Sequence, residues 1–380
     1  MNKDKVIAYL NCNCDFKVGV TYNTYIQAVA EPIDIHPTLL HKQYYVVELS
    51  EPNEINYGHF SAKKFKVLRE ISVQEWINII IDRFCNKYPN KPYDNNQQID
   101  VADKINAFVK SNADFARIRG NCRNNADIVS IGKDARIETN NPLARIISTG
   151  DFSKITVKGT SSIVASNGKS ARIESKGEKA IILSNGDNAT IDSTEVFNRI
   201  ISNGTESNIN SYDAWVRILS HGARAHIFSI GDNAIIYSEG NSSVVQIDGA
   251  SCIVISDGIR DVIVSSNYAS TIKSNGSHSQ ICCTGYGAEI VSSGDYTRIL
   301  AANTHIQIDS QGTNCTIVCH GEGSVVKAKK GSYITLTEYT NDEYEPIIVK
   351  TERVDGVRIK EDTWYTIKDG EFVVTKPIRE

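Results

Sequence analysis

From Gly132 to Gly321 the chain keeps one apolar and polar pattern with a period of nine. Stepping nine residues at a time gives 22 positions, of which 17 are Gly and three are Asn (Asn141, Asn267, Asn303); Glu195 and Asp213 are the two departures. Five residues after each position stands Ile or Val in all 22 cases, from Ile137 to Val326. Seven residues after it stands Ser in 15, and three after it Ala, Ser, Cys or Thr in 18. Side chains alternate along a strand with period two, so offsets 3, 5 and 7 share one face. Each nonapeptide therefore predicts a short strand that turns a small residue, an Ile and a Ser inward, followed by a turn.

Fixed-period repeats that cannot bury a face alone stack into solenoids. Offset 6 sets the number of strands per coil. It alternates polar and apolar through Glu138, Ile147, Thr156, Ala165, Glu174, Leu183, Asp192 and Ile201. Two strands per coil explain this alternation; three would scramble it. The expected fold is mainly β: a two-sheeted parallel β-solenoid with 18 residues per coil. Glycine tolerates positive φ, so the repeat glycines, Gly204 and Gly231 among them, are expected in left-handed turns.

The ends break the period. Residues 1–115 read as an N-terminal α+β cap with two helices, 116–331 as the solenoid, and 332–380 as a C-terminal antiparallel β cap. Ser72 and Glu75 form a capping-box pattern that opens a helix through about Tyr88. Ile99–Ser111 reads as the second helix, placed over the open sheet edge. Strands are expected around Tyr44–Leu49 and Phe65–Leu68. Asp355-Gly356 and Asp369-Gly370 predict hairpin turns in the tail.

Three stretches carry a resemblance: FKVGVTY at Phe16–Tyr22, the helix start at Arg69–Glu75, and the tail at Gly331–Val373 with DTWY and DGEFV. With the nonapeptides between them, the chain resembles an uncharacterised domain family of bacteriophage and gut-bacterial genomes. That family usually shows an aromatic-His-x-Cys stretch after its first element; here EPIDIHP keeps His36 without the Cys. The resemblance implies a solenoid fold and a phage setting, and no activity.

Composition narrows the classes. With 41 Lys+Arg against 45 Asp+Glu the formal charge is −4, which makes nucleic acid an unexpected partner. No apolar run reaches the length of a membrane span, and MNKDKVIAYLNCN turns polar too soon for a signal peptide. Nine scattered cysteines suggest reduced thiols and a cytoplasmic location in the host cell, with the virion as the alternative.

Candidate chemistry is sparse. The turns lack the paired glycines and recurring Asp of calcium β-rolls, so no metal and no cofactor are expected. Cys12-x-Cys14 has no second pair at zinc spacing, while Cys252, Cys283, Cys315 and Cys319 fall on inward offsets as core filler. The histidines do not converge, and His36 and His41 sit in the cap. No nucleophile elbow or P-loop is present, so the expectation is a protein that is not an enzyme. Offset 4 carries Arg136, Arg145, Lys154, Arg172, Arg199 and Arg217, of which Arg145, Arg199 and Arg217 form a candidate anion strip. One outer face collects Ile147, Ile163, Ile181, Leu183, Ile201, Leu219, Ile235, Tyr237, Ile253 and Ile255. An apolar stripe of that size on a soluble chain predicts an interface, either a homodimer or a fold-back of the cap. The function these features imply is a self-associating binding protein acting on a host macromolecule or small anionic ligand, conceivable as a counter-defence factor. Structural virion protein and carbohydrate-active enzyme are the alternatives.

Overall fold

The computed structural model describes residues 5–12, 15–29, 43–56, 59–89, 93–102, 107–121, 125–340 and 345–379. The chain divides into two units, Met1–Ala171 with Ala180–Gly186, and Arg172–Lys179 with Asp187–Glu380. Between the caps runs a parallel β-solenoid of about 13 turns at 18-residue spacing.

Unit 1 opens with an antiparallel sheet of β1 (Lys5–Cys12), β2 (Thr21–Tyr22), β3 (Ile26–Val29), β4 (Gln43–Ser50), β5 (Asn53–Asn56), β6 (His59–Ala62) and β7 (Lys64–Ile71). Their order is β2-β7-β4-β1-β3-β6-β5. Alternation in KFKVLREI buries Phe65 and Val67 against Leu10, Val47 and Leu49, and Phe16 and Tyr22 close that core from one side. Helix α1 (Val73–Lys87) follows; Ser72 caps it by accepting from Glu75 N at 3.1 Å. Only half of the capping box forms, because the Glu75 carboxylate pairs with Arg69 instead. Trp76, Ile77, Ile80, Ile81 and Phe84 are its buried face, with Trp76 stacked on Tyr44 at 4.9 Å.

The expected second helix is absent among the described residues, and the solenoid starts earlier than residue 116. Residues 98–102 and 107–111 are instead strands of the first coil: β8 (Gln98–Ala102) and β9 (Ala107–Ser111) pair in parallel with β10 (Arg117–Asn121) and β11 (Ala126–Ser130). Ile99 stacks on Ile118 and Val109 on Ile128. A 19-residue step and missing glycines hide this coil from the nine-residue ruler, yet Ile99, Val101 and Val109 are buried as the ladder requires.

In the regular coils the offset-5 residues form the core ladder, as in Ile146–Val164–Ile182 of unit 1 and Ile209–Ile227–Val245 of unit 2. Offset-3 hydroxyls donate to the carbonyl of their own repeat's glycine: Ser162 to Gly159 at 2.9 Å, Ser243 to Gly240 at 2.8 Å. The offset-7 hydroxyls of Ser148, Ser166 and Ser184 are buried without a hydrogen-bond partner among the described residues.

The turns correct another expectation. Gly204 and Gly231 do not have positive φ; the left-handed residue lies two positions further on in every one of the 22 repeats, as in Phe152 (φ 59°) and Asn233 (φ 57°). The glycines are needed for close approach. A Cβ on Gly150 would stand 1.9 Å from the carbonyl oxygen of Gly132 one coil below, and one on Gly231 at 1.9 Å from that of Asp213.

In unit 2, Tyr333–Tyr339 still pairs in parallel with Thr316–Cys319, and Pro346–Arg353 then returns antiparallel. Asp369 and Gly370, at φ 53° and 73°, turn a hairpin between Tyr365–Lys368 and Glu371–Val374. Asp355-Gly356 is not a hairpin turn. The Asp355 carboxylate accepts from the amides of Val357, Arg358 and Ile359 and closes a loop, which holds its pKa below the usual range.

Candidate functional site

Each coil has two turns, and the residue at the left-handed position of a turn projects to solvent beside the offset-4 side chain of the following strand. Stacking at about 4.8 Å per coil turns both positions into columns. In unit 1 one such pair of columns comprises Asn96, Phe115, Asp134 and Phe152 alongside Arg117, Arg136 and Lys154. These seven residues line a cleft of about 360 Å³.

The cations are in register, Arg117 on Arg136 and Arg136 on Lys154. All three are exposed, and none makes an ion pair with any described residue. Elsewhere charge is matched, in unit 1 with Lys158 on Glu138 at 2.7 Å and in unit 2 with Arg172 on Asp192 at 3.3 Å. Like charges directly opposite one another are destabilising. The column therefore runs against the fold's own preference.

The aromatic residues do so too. Phe115 and Phe152 sit at φ 57° and 59° and are 50% and 59% exposed. A left-handed conformation costs a side-chain-bearing residue roughly 1–2 kcal/mol, and an exposed ring gains nothing from burial. Asn or Gly would satisfy the turn, as Asn188 and Gly287 do. Of the 22 repeat turns 17 hold a residue other than Gly or Asn there, so the large exposed ring, more than the backbone, sets these positions apart.

A sequence signal links the two columns. Five turns carry Phe, Trp or Tyr at the left-handed position: Phe115, Phe152, Phe197, Trp215 and Tyr296. All five are followed two residues later by a cation, namely Arg117, Lys154, Arg199, Arg217 and Arg298. Among the other turns only Arg136, Arg145 and Arg172 stand at that place. Reading offset 4 alone missed this coupling; reading offsets 2 and 4 together exposes it.

The residues singled out from sequence fare differently. Arg145 is no anion site: it grips Asp127 with two bonds of 2.7 and 2.6 Å and lies over the Phe84 ring at 5.1 Å. Asp127 also accepts from Tyr88, whose pKa burial and that bond push up to about 12. Arg199 and Arg217 stack in register on unit 2, and the Arg199 guanidinium is driven below its ordinary pKa by burial first and by Arg217 second.

The apolar stripe is not a free interface. Ile147, Leu183, Ile201 and Leu219 are at most 4% exposed within the single chain. In unit 1 the cover is α1, which packs on the strands Arg145–Ser148 and Ile163–Ser166. Asn78 of that helix accepts from Asn167 at 2.8 Å and Asn185 at 3.0 Å. Ile163, Ile181, Ile235, Tyr237 and Ile255 are half-buried, leaving Ile253 exposed.

Cys252, Cys283, Cys315 and Cys319 are fully buried free thiols in the core. His36, His41 and Cys14 lie outside the described residues, as does the Cys12 side chain. His221 pairs with Glu239 at 2.7 Å and His320 bonds Thr337. Among the described residues no three of His, Cys, Asp and Glu converge as a metal cluster, and no helix is long and apolar enough to cross a membrane. Comparison with family models, curated proteins and solved structures finds no match.

Proposed function

We propose that the protein is a non-enzymatic binding protein that recognises an anionic ligand through the unit 1 cleft. The observation that carries this reading is the unpaired cation column Arg117–Arg136–Lys154, which an anion would neutralise at the spacing the coils impose. Phe115 and Phe152 supply apolar faces on the rim, and Asn96 and Asp134 supply hydrogen-bonding groups that restrict orientation. A strand-built scaffold suits recognition, because its backbone is ordered before binding and only the exposed side chains remain to be immobilised. The resemblance implies a phage setting, and binding a host component there is the role we propose.

Titration with inorganic polyphosphate at low salt tests the reading. Replacing Arg117, Arg136 and Lys154 by Ala is expected to weaken binding by about tenfold or more, the scale of losing charge-assisted contacts. Replacing the exposed Lys360, Lys368 and Lys376 removes the same net charge elsewhere and is expected to change affinity less than about twofold, as distant surface charges are screened. Equal losses in the two variants, or no binding by the wild type, sink the proposal.

A further inference from the structure

We propose a second binding site, on unit 2, at the turns carrying Phe197 and Trp215, and infer that its ligand is single-stranded nucleic acid. The site stands on its own residues, so it fails or survives separately from the unit 1 cleft.

The repeat itself points there. Glu195 and Asp213 are the two of 22 repeat starts that are neither Gly nor Asn, and they begin the nonapeptides that hold Phe197 and Trp215. At the glycine starts the carbonyl of the coil below leaves no room for a Cβ, as at Gly231. Here the turn gives way. The bond from Phe197 N to Ala214 O is 3.4 Å, whereas the equivalent bond from Trp215 N to Asp232 O is 2.9 Å. The packing rule is relaxed where two large rings are displayed.

Those rings are stacked, with centroids 6.2 Å apart and planes 22° from parallel. Both occupy the left-handed position, at φ 62° and 61°, and are 48% and 52% exposed. Two residues on, Arg199 and Arg217 stack in register on the adjoining sheet face. Arg217 makes no ion pair among the described residues. The site thus repeats one unit in successive coils: an exposed ring, then a guanidinium.

A ligand that matches it must alternate stackable rings with anionic groups. Single-stranded nucleic acid does so, bases on the aromatic shelf and phosphates on the arginines. Guanidinium groups are themselves planar and stack, which favours planar bases over the puckered rings of an acidic polysaccharide. Glu195 and Asp213 offset the two arginine charges, so the shelf is no general polyanion trap. Stacking must then supply the affinity, with modest dependence on salt. That answers the objection raised by the net charge of −4, which speaks against a basic coat but not against a local stacking site.

An unlabelled oligothymidylate of eight nucleotides is the probe. Of the three tryptophans Trp215 is exposed, Trp76 buried and Trp364 half-buried, so the emission lost in Trp215→Phe is the signal that reports the site. Saturable quenching is expected in the wild type and its loss in Trp215→Phe, which keeps a ring. Anisotropy of a labelled copy is expected to show near-wild-type binding by Trp215→Phe, and binding weakened by about tenfold in Trp215→Ala, in line with loss of one stacked base. Arg199→Gln with Arg217→Gln should flatten the slope of log K against log salt, which for two phosphate contacts is about −1.4. Absence of quenching overturns the proposal. So does displacement of the oligonucleotide by polygalacturonate at equal charge concentration, or loss of binding only in the variant lacking Arg117, Arg136 and Lys154. That last result would leave the cleft reading intact.

Discussion

Gly231→Ala separates two accounts of the repeat glycines by sign. Gly231 has no positive φ, so if it were merely a small residue in a turn, Ala would be tolerated. It would even stabilise by roughly 0.4–1 kcal/mol through the lost freedom of the unfolded chain. The structure requires the opposite. The new Cβ would lie 1.9 Å from the carbonyl oxygen of Asp213, 2.1 Å from its carbon and 2.7 Å from Ala214 N. Those atoms are backbone, fixed by the stacking of the coils, and they can retreat only by prising two turns apart. Overpacking of this kind costs typically 1–3 kcal/mol. Across 150–250 cooperating residues that corresponds to a fall in melting temperature of roughly 2–4 °C per kcal/mol. Gly19 provides the contrast: its φ is +83° and nothing lies within 4 Å of a Cβ, so Ala there is costly for conformation alone. Asn233→Gly, at the true left-handed position, is expected to be neutral or stabilising. Calorimetry of the three variants checks the set. A Gly231→Ala protein that melts at or above the wild-type temperature refutes the close-approach argument.

Three further outcomes follow from buried groups. Asp261 occupies an offset-3 core position, accepts from Ser243 N at 2.8 Å and from the Ser256 hydroxyl, and has its pKa raised chiefly by burial. The folded state then holds the proton more tightly than the unfolded one, so this group's contribution is present at low pH and is lost as pH rises through its folded pKa. Asp261→Ser should therefore stabilise at pH 7 and gain less towards pH 4; an advantage that grows as pH falls would contradict this. Cys319, its thiol pushed up to about 11 by burial, should resist a thiol reagent in the native protein together with Cys252, Cys283 and Cys315, and react only after denaturation; rapid native labelling at these sites, read by mass spectrometry, would contradict the core placement. Leu183 is 1% exposed, so Leu183→Glu should lower stability by roughly 3 kcal/mol with no change in oligomeric mass by light scattering; a dimer that becomes a stable monomer would restore the interface reading.

What could be read from the sequence, and what could not, divides along a physical line. The solenoid was legible because its inward offsets repeat: 22 aliphatic residues in 22 places leave one ladder to build. The first coil escaped because Ile99 and Val109 belong to coils lengthened by one residue, which breaks a strict ruler but not the pairing. The role of the glycines escaped for another reason. Composition reports that a side chain is excluded, and only the neighbouring coil reveals whether conformation or contact excludes it. The apolar stripe was real, but α1, far away in sequence, had to be placed before Ile147 could be seen as covered. Arg145 repeats the lesson, since its partner Asp127 stands on the strand one coil below, where opposite charge cancels it. Arg117, Arg136 and Lys154 face no such carboxylate, and Phe115, Phe152, Phe197 and Trp215 keep strained, exposed places that Gly or Asn would fill without cost. A repeat fold makes such departures informative, because every coil supplies the control for the next. Where 17 of 22 repeat starts are Gly and three are Asn, and two in successive coils carry Glu and Asp beside displayed rings and arginines, the departure needs a ligand more than it needs the fold.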